Sequence, residues 1–147
     1  MNRNEFLQRC AALVAGAACM ELTLSGCASL HFTEFAMQGG QAVVSKALFD
    51  ETGFVLLDVK SLPAPVFVRK RIETDSDEYV ALLMRCTHRG CTVRPAGQTL
   101  DCPCHGSRYT NEGKVIEGPA DRDLRRLTTT TDEQHVQVVL TDDYREG

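Results

Sequence analysis

Two short runs constrain this chain more than any other feature: Cys86-Thr87-His88-Arg89-Gly90-Cys91 and Cys102-Pro103-Cys104-His105-Gly106-Ser107-Arg108-Tyr109. Each holds two cysteines and one histidine, and their leading cysteines stand sixteen positions apart. Soft thiolates suit iron, and imidazole suits iron or zinc. Either run alone is ambiguous, because a cysteine–histidine set also holds structural zinc. A single centre built from both requires two loops to be in place together.

The chain has 147 residues, enough for one domain with a modest core. Its front reads differently from its body. Asn2 to Arg9 is polar and carries Arg3 and Arg9, Cys10 to Leu24 is mostly apolar and small with Glu21 interrupting, and Leu24-Ser25-Gly26-Cys27 follows. A basic start, a short apolar stretch and small residues before a cut site read as an export signal over 1–26. The apolar stretch is too short and too interrupted to predict a membrane-spanning helix. Leu24-Ser25-Gly26-Cys27 resembles a bacterial lipobox, which implies cleavage before Cys27 and lipidation of that residue. An ordinary cleaved signal and a retained N-terminal anchor helix are the alternatives. Arg3-Asn4-Glu5-Phe6-Leu7-Gln8 resembles a twin-arginine export motif with Asn4 in place of the second arginine.

The cysteines divide accordingly. Of seven, Cys10 and Cys19 leave with the signal, Cys27 is the lipid site, and Cys86, Cys91, Cys102 and Cys104 all lie in the two runs. An oxidising compartment permits a disulfide among these four. Removing 1–26 takes away two arginines and two glutamates, so the formal charge of −4 is unchanged. Acids and bases are interspersed, with no basic stripe and few aromatic residues, so nucleic acid is not expected as a partner.

Residues 27–40 lack a clear period, end in Gly39-Gly40, and read as a tether between lipid and domain. From Gln41 onward, short strands are predicted: Ala42 to Leu48, Phe54 to Val59, Val66 to Ile72, Tyr79 to Met84, Thr99 to Asp101, and a closing pair from Arg126 to Thr131 and His135 to Thr141. No stretch after residue 26 keeps a helical period over three turns. The fold class expected is all-β, a small antiparallel multi-sheet domain over 41–147 carrying two metal-binding loops. His31 and His135 lie outside both runs and read as surface histidines.

The two runs, taken in order, closely resemble the Rieske iron–sulfur family. The nearer likeness is to its high-potential branch, found in quinol-oxidising cytochrome complexes and in small subunits such as that of arsenite oxidase. The resemblance extends from about Val66 to Leu140. It implies one 2Fe–2S cluster per chain, with Cys86 and Cys102 on one iron and His88 and His105 on the other. It implies a Cys91–Cys104 disulfide tying the loops, a bridge that the family's dioxygenase ferredoxins lack. It further implies that Ser107 donates to a bridging sulfide and Tyr109 to the sulfur of Cys86. Gly90 and Gly106 then allow close approach of the backbone, and Gly118-Pro119-Ala120 covers the cluster. Two positions depart from the branch: Asp121 stands where a second proline is usual, and Arg89 where the quinol-oxidising subunits usually carry leucine.

The expected function is one-electron transfer on the outer side of a bacterial membrane, from a quinol or protein donor to a cytochrome-type acceptor. Membrane attachment is expected through Cys27, with a cytochrome b subunit as a partner if a quinol is the donor. The alternatives are the small subunit of another oxidoreductase, arsenite-oxidase-like, and a structural zinc lipoprotein.

Overall fold

The computed structural model describes residues 29–71 and 78–140. The export-signal and lipidation readings, including Cys27, lie outside the described residues. So do Ile72, the end of the strand expected from Val66, and Thr141, the end of the one expected from His135. Among the described residues, no helix is long and apolar enough to cross a membrane.

Among the described residues, twelve strands form three four-stranded antiparallel sheets. The base sheet joins β1 (Ala36–Gln38), β2 (Gln41–Ser45), β12 (His135–Val139) and β11 (Thr129–Thr131) in that order. The central sheet runs β10 (Arg126–Leu127), β5 (Tyr79–Leu83), β4 (Val66–Lys70) and β3 (Phe54–Leu57). The tip sheet runs β6 (Arg94–Ala96), β7 (Thr99–Asp101), β8 (Arg108–Thr110) and β9 (Val115–Glu117). The all-β antiparallel class is the one expected.

The central sheet is covered on both faces, which explains why β5 is buried at every position. In β4 and β5, Val66, Val68, Tyr79 and Ala81 face the base sheet and pack with Val44, Val136 and Val138. Phe67, Val80 and Leu82 point the other way and pack with Met84, Leu100 and Tyr109 at the tip. The period of two thus feeds two cores. In β2 and β12, which have one wet face, burial alternates.

Three elements differ from expectation. The run Ala42 to Leu48 stays extended only to Ser45; a 3-10 turn (Lys46–Leu48) and a one-turn helix α1 (Phe49–Thr52) follow. The turn swings Phe49 into the base core against Tyr79, ring centroids 4.9 Å apart. Gly53 closes α1 with its N–H donating to the Phe49 carbonyl at φ +74°, where glycine is favoured. The run Arg126 to Thr131 is divided: β10 pairs with β5 of the central sheet, and only β11 pairs with β12. The expected tether is laid against the domain in its described part. Leu30 and Phe35 pack on the two cores, the Thr33 N–H donates to the Leu56 carbonyl at 2.7 Å, and β1 pairs with β2.

Asp132 organises the β11–β12 turn. Its Oδ1 accepts the N–H groups of Gln134 and His135, each at 2.8 Å, and these hold the carboxyl below its ordinary 3.8. A carboxylate depressed in the folded state contributes stability above its unfolded pKa and loses it as pH falls through the folded value. Asp132→Asn keeps an acceptor oxygen but no charge. It is expected to flatten the acid limb of a melting-temperature profile below about pH 4, and an unchanged acid limb would contradict this.

Candidate metal centre

Two loops rise from the strand ends to the tip, and their backbones match. In the first, the Cys86 N–H donates to the Cys91 carbonyl and the Gly90 N–H to the Cys86 carbonyl, both at 2.8 Å. In the second, the Cys102 N–H donates to the Ser107 carbonyl at 2.8 Å and the Gly106 N–H to the Cys102 carbonyl at 3.1 Å. The fifth residue of each loop is a glycine with φ near +80°, Gly90 at +79° and Gly106 at +80°. Gly90 also leaves room: a Cβ there would lie 3.1 Å from Nε of Arg85.

This repeated frame brings together the residues that the sequence singled out. Cys86 and Cys102 are free thiols, each about 3% exposed. The His88 and His105 rings lie 5.0 Å apart, edge to face at 89°. His88 is half-buried and its Nδ1 is buried with no hydrogen-bond partner, whereas His105 is exposed. Cys91 and Cys104 are joined in a disulfide, Cα to Cα 6.5 Å, that links the two loops. The sulfurs of Cys91, Cys102 and Cys104 lie within 4.8 Å of one another. Two of the three are spent in the disulfide, so this grouping sets the bridge behind Cys102 and is not itself a ligand set.

Ser107 and Tyr109 are fully buried. Tyr109 Oη lies 3.3 Å from Cys86 Sγ and accepts the Thr87 N–H at 3.1 Å. Burial pushes the Cys86 thiol up, but hydrogen bonds from Tyr109, the His88 N–H, Cys102 and Ser107 outweigh it, and Cys86 lies below the usual thiol range. Burial raises Cys102, against the N–H groups of Cys104 and His105. The donors around Cys86 favour its thiolate, the form that binds metal.

The segment 118–123 closes over both loops. Ser107 Oγ accepts the Ala120 N–H at 3.0 Å, and Thr87 Oγ1 donates to the Arg122 carbonyl at 2.7 Å. Gly118–Pro119 is a cis peptide, Pro119 is exposed, and Ala120 is the buried residue of the three. Asp121 points to solvent, 3.8 Å from Nε of Arg122. The sequence reading missed Thr87 and the Arg122 carbonyl; a threonine and a backbone oxygen 35 positions apart carry no pattern that spacing reveals. His31 is exposed and His135 lies 3.3 Å from Asp132, both away from the loops.

Residues 37–130 match the family model of the Rieske [2Fe-2S] domain. The chain belongs to the Rieske family. It is 52% identical over 54 residues to the cytochrome b6-f complex iron–sulfur subunit of Synechococcus sp. (strain JA-3-3Ab), covering 35% of this chain and 31% of that one. It is 31% identical over 120 residues to the ubiquinol–cytochrome c reductase iron–sulfur subunit of Bradyrhizobium diazoefficiens, covering 78% and 67% respectively. The matched region thus spans about a third of the length of the first of these relatives. Among solved structures, the plasma membrane Rieske protein PetC3 from Synechocystis PCC 6803 superposes with a TM-score of 0.55 at 30% identity, covering 64% of this chain and 93% of that one. A chain of a hyperthermophilic respiratory Complex III shares the fold at TM-score 0.52 and 22% identity, over 90% of each chain.

As a Rieske protein, the chain carries one 2Fe–2S cluster. The loops fit such a group. They supply two buried free thiols, a buried imidazole nitrogen with no other partner, and a second histidine beside it. This is the mixed donor set that a Rieske centre requires.

Proposed function

We propose that this Rieske protein is an exported one-electron carrier attached to a membrane through a lipidated Cys27, passing electrons from a quinol or protein donor to a cytochrome-type acceptor. The observation that carries the reading is the pair of matched loops that brings the free thiols of Cys86 and Cys102 together with the rings of His88 and His105; in this reading the two cysteines bind one iron and the two histidines the other. The relationship to iron–sulfur subunits of cytochrome b6-f and ubiquinol–cytochrome c complexes supports membrane attachment and a cytochrome partner. When bound, the centre supplies one reversible electron equivalent, at a potential raised by imidazole in place of two thiolates.

The protein's own residues set the conditions for that chemistry. The half-buried His88 and the exposed His105 bring the centre to the surface, where a partner comes within reach. The disulfide and the segment 118–123 hold the loops and limit the access of water. Tyr109 and Ser107 direct hydroxyl groups at the ligand side, and a donor to sulfur favours the more electron-rich state. Arg89 and the exposed Asp121, in positions where the quinol-oxidising subunits are apolar, favour a second reading: the small subunit of a different oxidoreductase.

Native protein extracted from membranes tests the proposal. It is expected to begin at an acylated Cys27, to hold two irons and two acid-labile sulfides per chain, and to show a rhombic, g-anisotropic EPR signal on reduction. Stoichiometric zinc without iron would sink it.

Tyr109→Phe and Ser107→Ala are each expected to lower the midpoint potential while the cluster is retained. Hydrogen bonds to charged groups contribute about 1.5–3 kcal/mol. If roughly 1 kcal/mol of this distinguishes the two redox states, each loss corresponds to about 40 mV. Protein-film voltammetry measures the shift, and unchanged potentials in both variants would show that the hydroxyls do not act on the sulfurs.

A further inference from the structure

Beside the first loop lies an open cleft of about 510 Å³ whose lining includes His88, Arg85, Arg89, Arg122 and Arg125. Asp123 is the one carboxylate among its lining residues, and Asp123 Oδ1 accepts the Val115 N–H at 2.9 Å. Arg89 is exposed, and the Arg122 side chain is 72% exposed, with Asp121 a loose neighbour at 3.8 Å. Arg85 lies against the loop itself, in the space that Gly90 leaves open. Four arginines therefore line the cleft beside His88, on a chain whose formal net charge is −4.

The local field opposes the overall charge, and within a Debye length of about 10 Å the local field governs an approaching group. Arginine also suits carboxylate geometry, binding in a planar, bidentate fashion. We infer that this arginine-lined cleft is a docking surface for an acidic face of a redox partner protein, whose carboxylates seat beside His88. The inference rests on the electron-carrier reading and deepens it by naming the partner's surface chemistry. The cleft is also wired to the centre. The Arg122 carbonyl accepts the Thr87 hydroxyl, and the Thr87 N–H donates to the tyrosine oxygen that touches Cys86 Sγ. A partner's carboxylate on Arg122 thus engages the segment that holds the Tyr109 contact.

Reduced holoprotein gives up one electron to one of two oxidants in stopped flow: ferricyanide, an anion, or tris(phenanthroline)cobalt(III), a cation. The net charge alone predicts repulsion of ferricyanide. The cleft predicts attraction, so the ferricyanide rate should fall with ionic strength and the cobalt rate should rise. Deca-aspartate should slow the ferricyanide reaction by occupying the cleft. Arg89→Glu/Arg122→Glu, which leaves the Arg122 carbonyl in place, should cut the low-salt ferricyanide rate roughly tenfold and abolish the deca-aspartate effect. Arg89→Gln/Arg122→Gln should do so more weakly, with the EPR spectrum unchanged in both. Equal salt slopes in wild type and the glutamate variant would overturn the inference. So would capture by phosphatidylglycerol vesicles that exceeds capture by phosphatidylcholine vesicles and is lost in the glutamate variant, without any effect of deca-aspartate, which would assign the cleft to lipid headgroups. Binding of labelled deca-aspartate, read by anisotropy, reports on the cleft without any electron transfer, so the docking inference and the electron-carrier reading fail separately.

Discussion

His88→Ala is expected to remove the iron–sulfur cluster while the base of the domain remains folded; Cys86→Ala and Cys102→Ala should do the same. The two thiols are about 3% exposed, so water does not readily take the place of a lost ligand, and the buried His88 Nδ1, which has no hydrogen-bond partner, is free to bind metal. Water reaches the exposed His105 more easily, so His105→Ala is expected to lose iron as well but to leave the most residual metal of the four. The base core is built from Val44, Val68, Val136, Val138 and their neighbours, none of which belongs to the loops. Far-UV circular dichroism should therefore change little while iron content and the EPR signal disappear. Full iron with an unaltered spectrum in His88→Ala would remove His88 from the ligand set. Loss of all β-signature in every variant would instead mean that the cluster holds the whole domain together.

The four ligand candidates were legible in the sequence because their chemistry is carried by residue type and by spacing along single loops. So was the all-β class, because alternation survives wherever a strand has one wet face, as in β2 and β12. Legibility ended where tertiary packing overrides local pattern. The buried β5 is expected as a strand, Tyr79 to Met84, but it shows no alternation because it serves two cores, so which residue faces which core is not legible. The short tip strands β6, β8 and β9 have three residues each, too few for a period to show, and take their register from neighbours in the tip sheet. The split of Arg126 to Thr131 between two sheets depends on where Leu127 finds its core, not on the threonines that follow. Of the arginines at 85, 89, 122 and 125, only Arg89 stands out in the sequence, as a departure within the first run; the four come together along one cleft only in three dimensions.

Cys91→Ser/Cys104→Ser is expected to destabilise the tip more in the cluster-free protein than in the loaded one. The backbone hydrogen bonds described for each loop close within that loop, so alignment of the two depends on side chains: the disulfide, the Tyr109 contact with Cys86 and Thr87, and the ties to segment 118–123. The bridge spans 13 positions, and closing a loop of that length is worth about 3 kcal/mol in the chain-entropy account. In the loaded protein the cluster is itself a crosslink between the same loops, so part of the constraint is redundant. The two crosslinks should therefore be non-additive. Denaturant unfolding of apo protein should show a loss of about 3 kcal/mol in the double variant, with a smaller loss when the cluster is present. Bleaching of the cluster absorbance under chelator should be faster than in wild type, because a loop that opens without its bridge exposes Cys102 and His105 together. Equal unfolding midpoints in the apo proteins, together with equal bleaching rates, would show that the hydrogen bonds of Ser107, Tyr109 and Thr87 hold the loops in register without the disulfide.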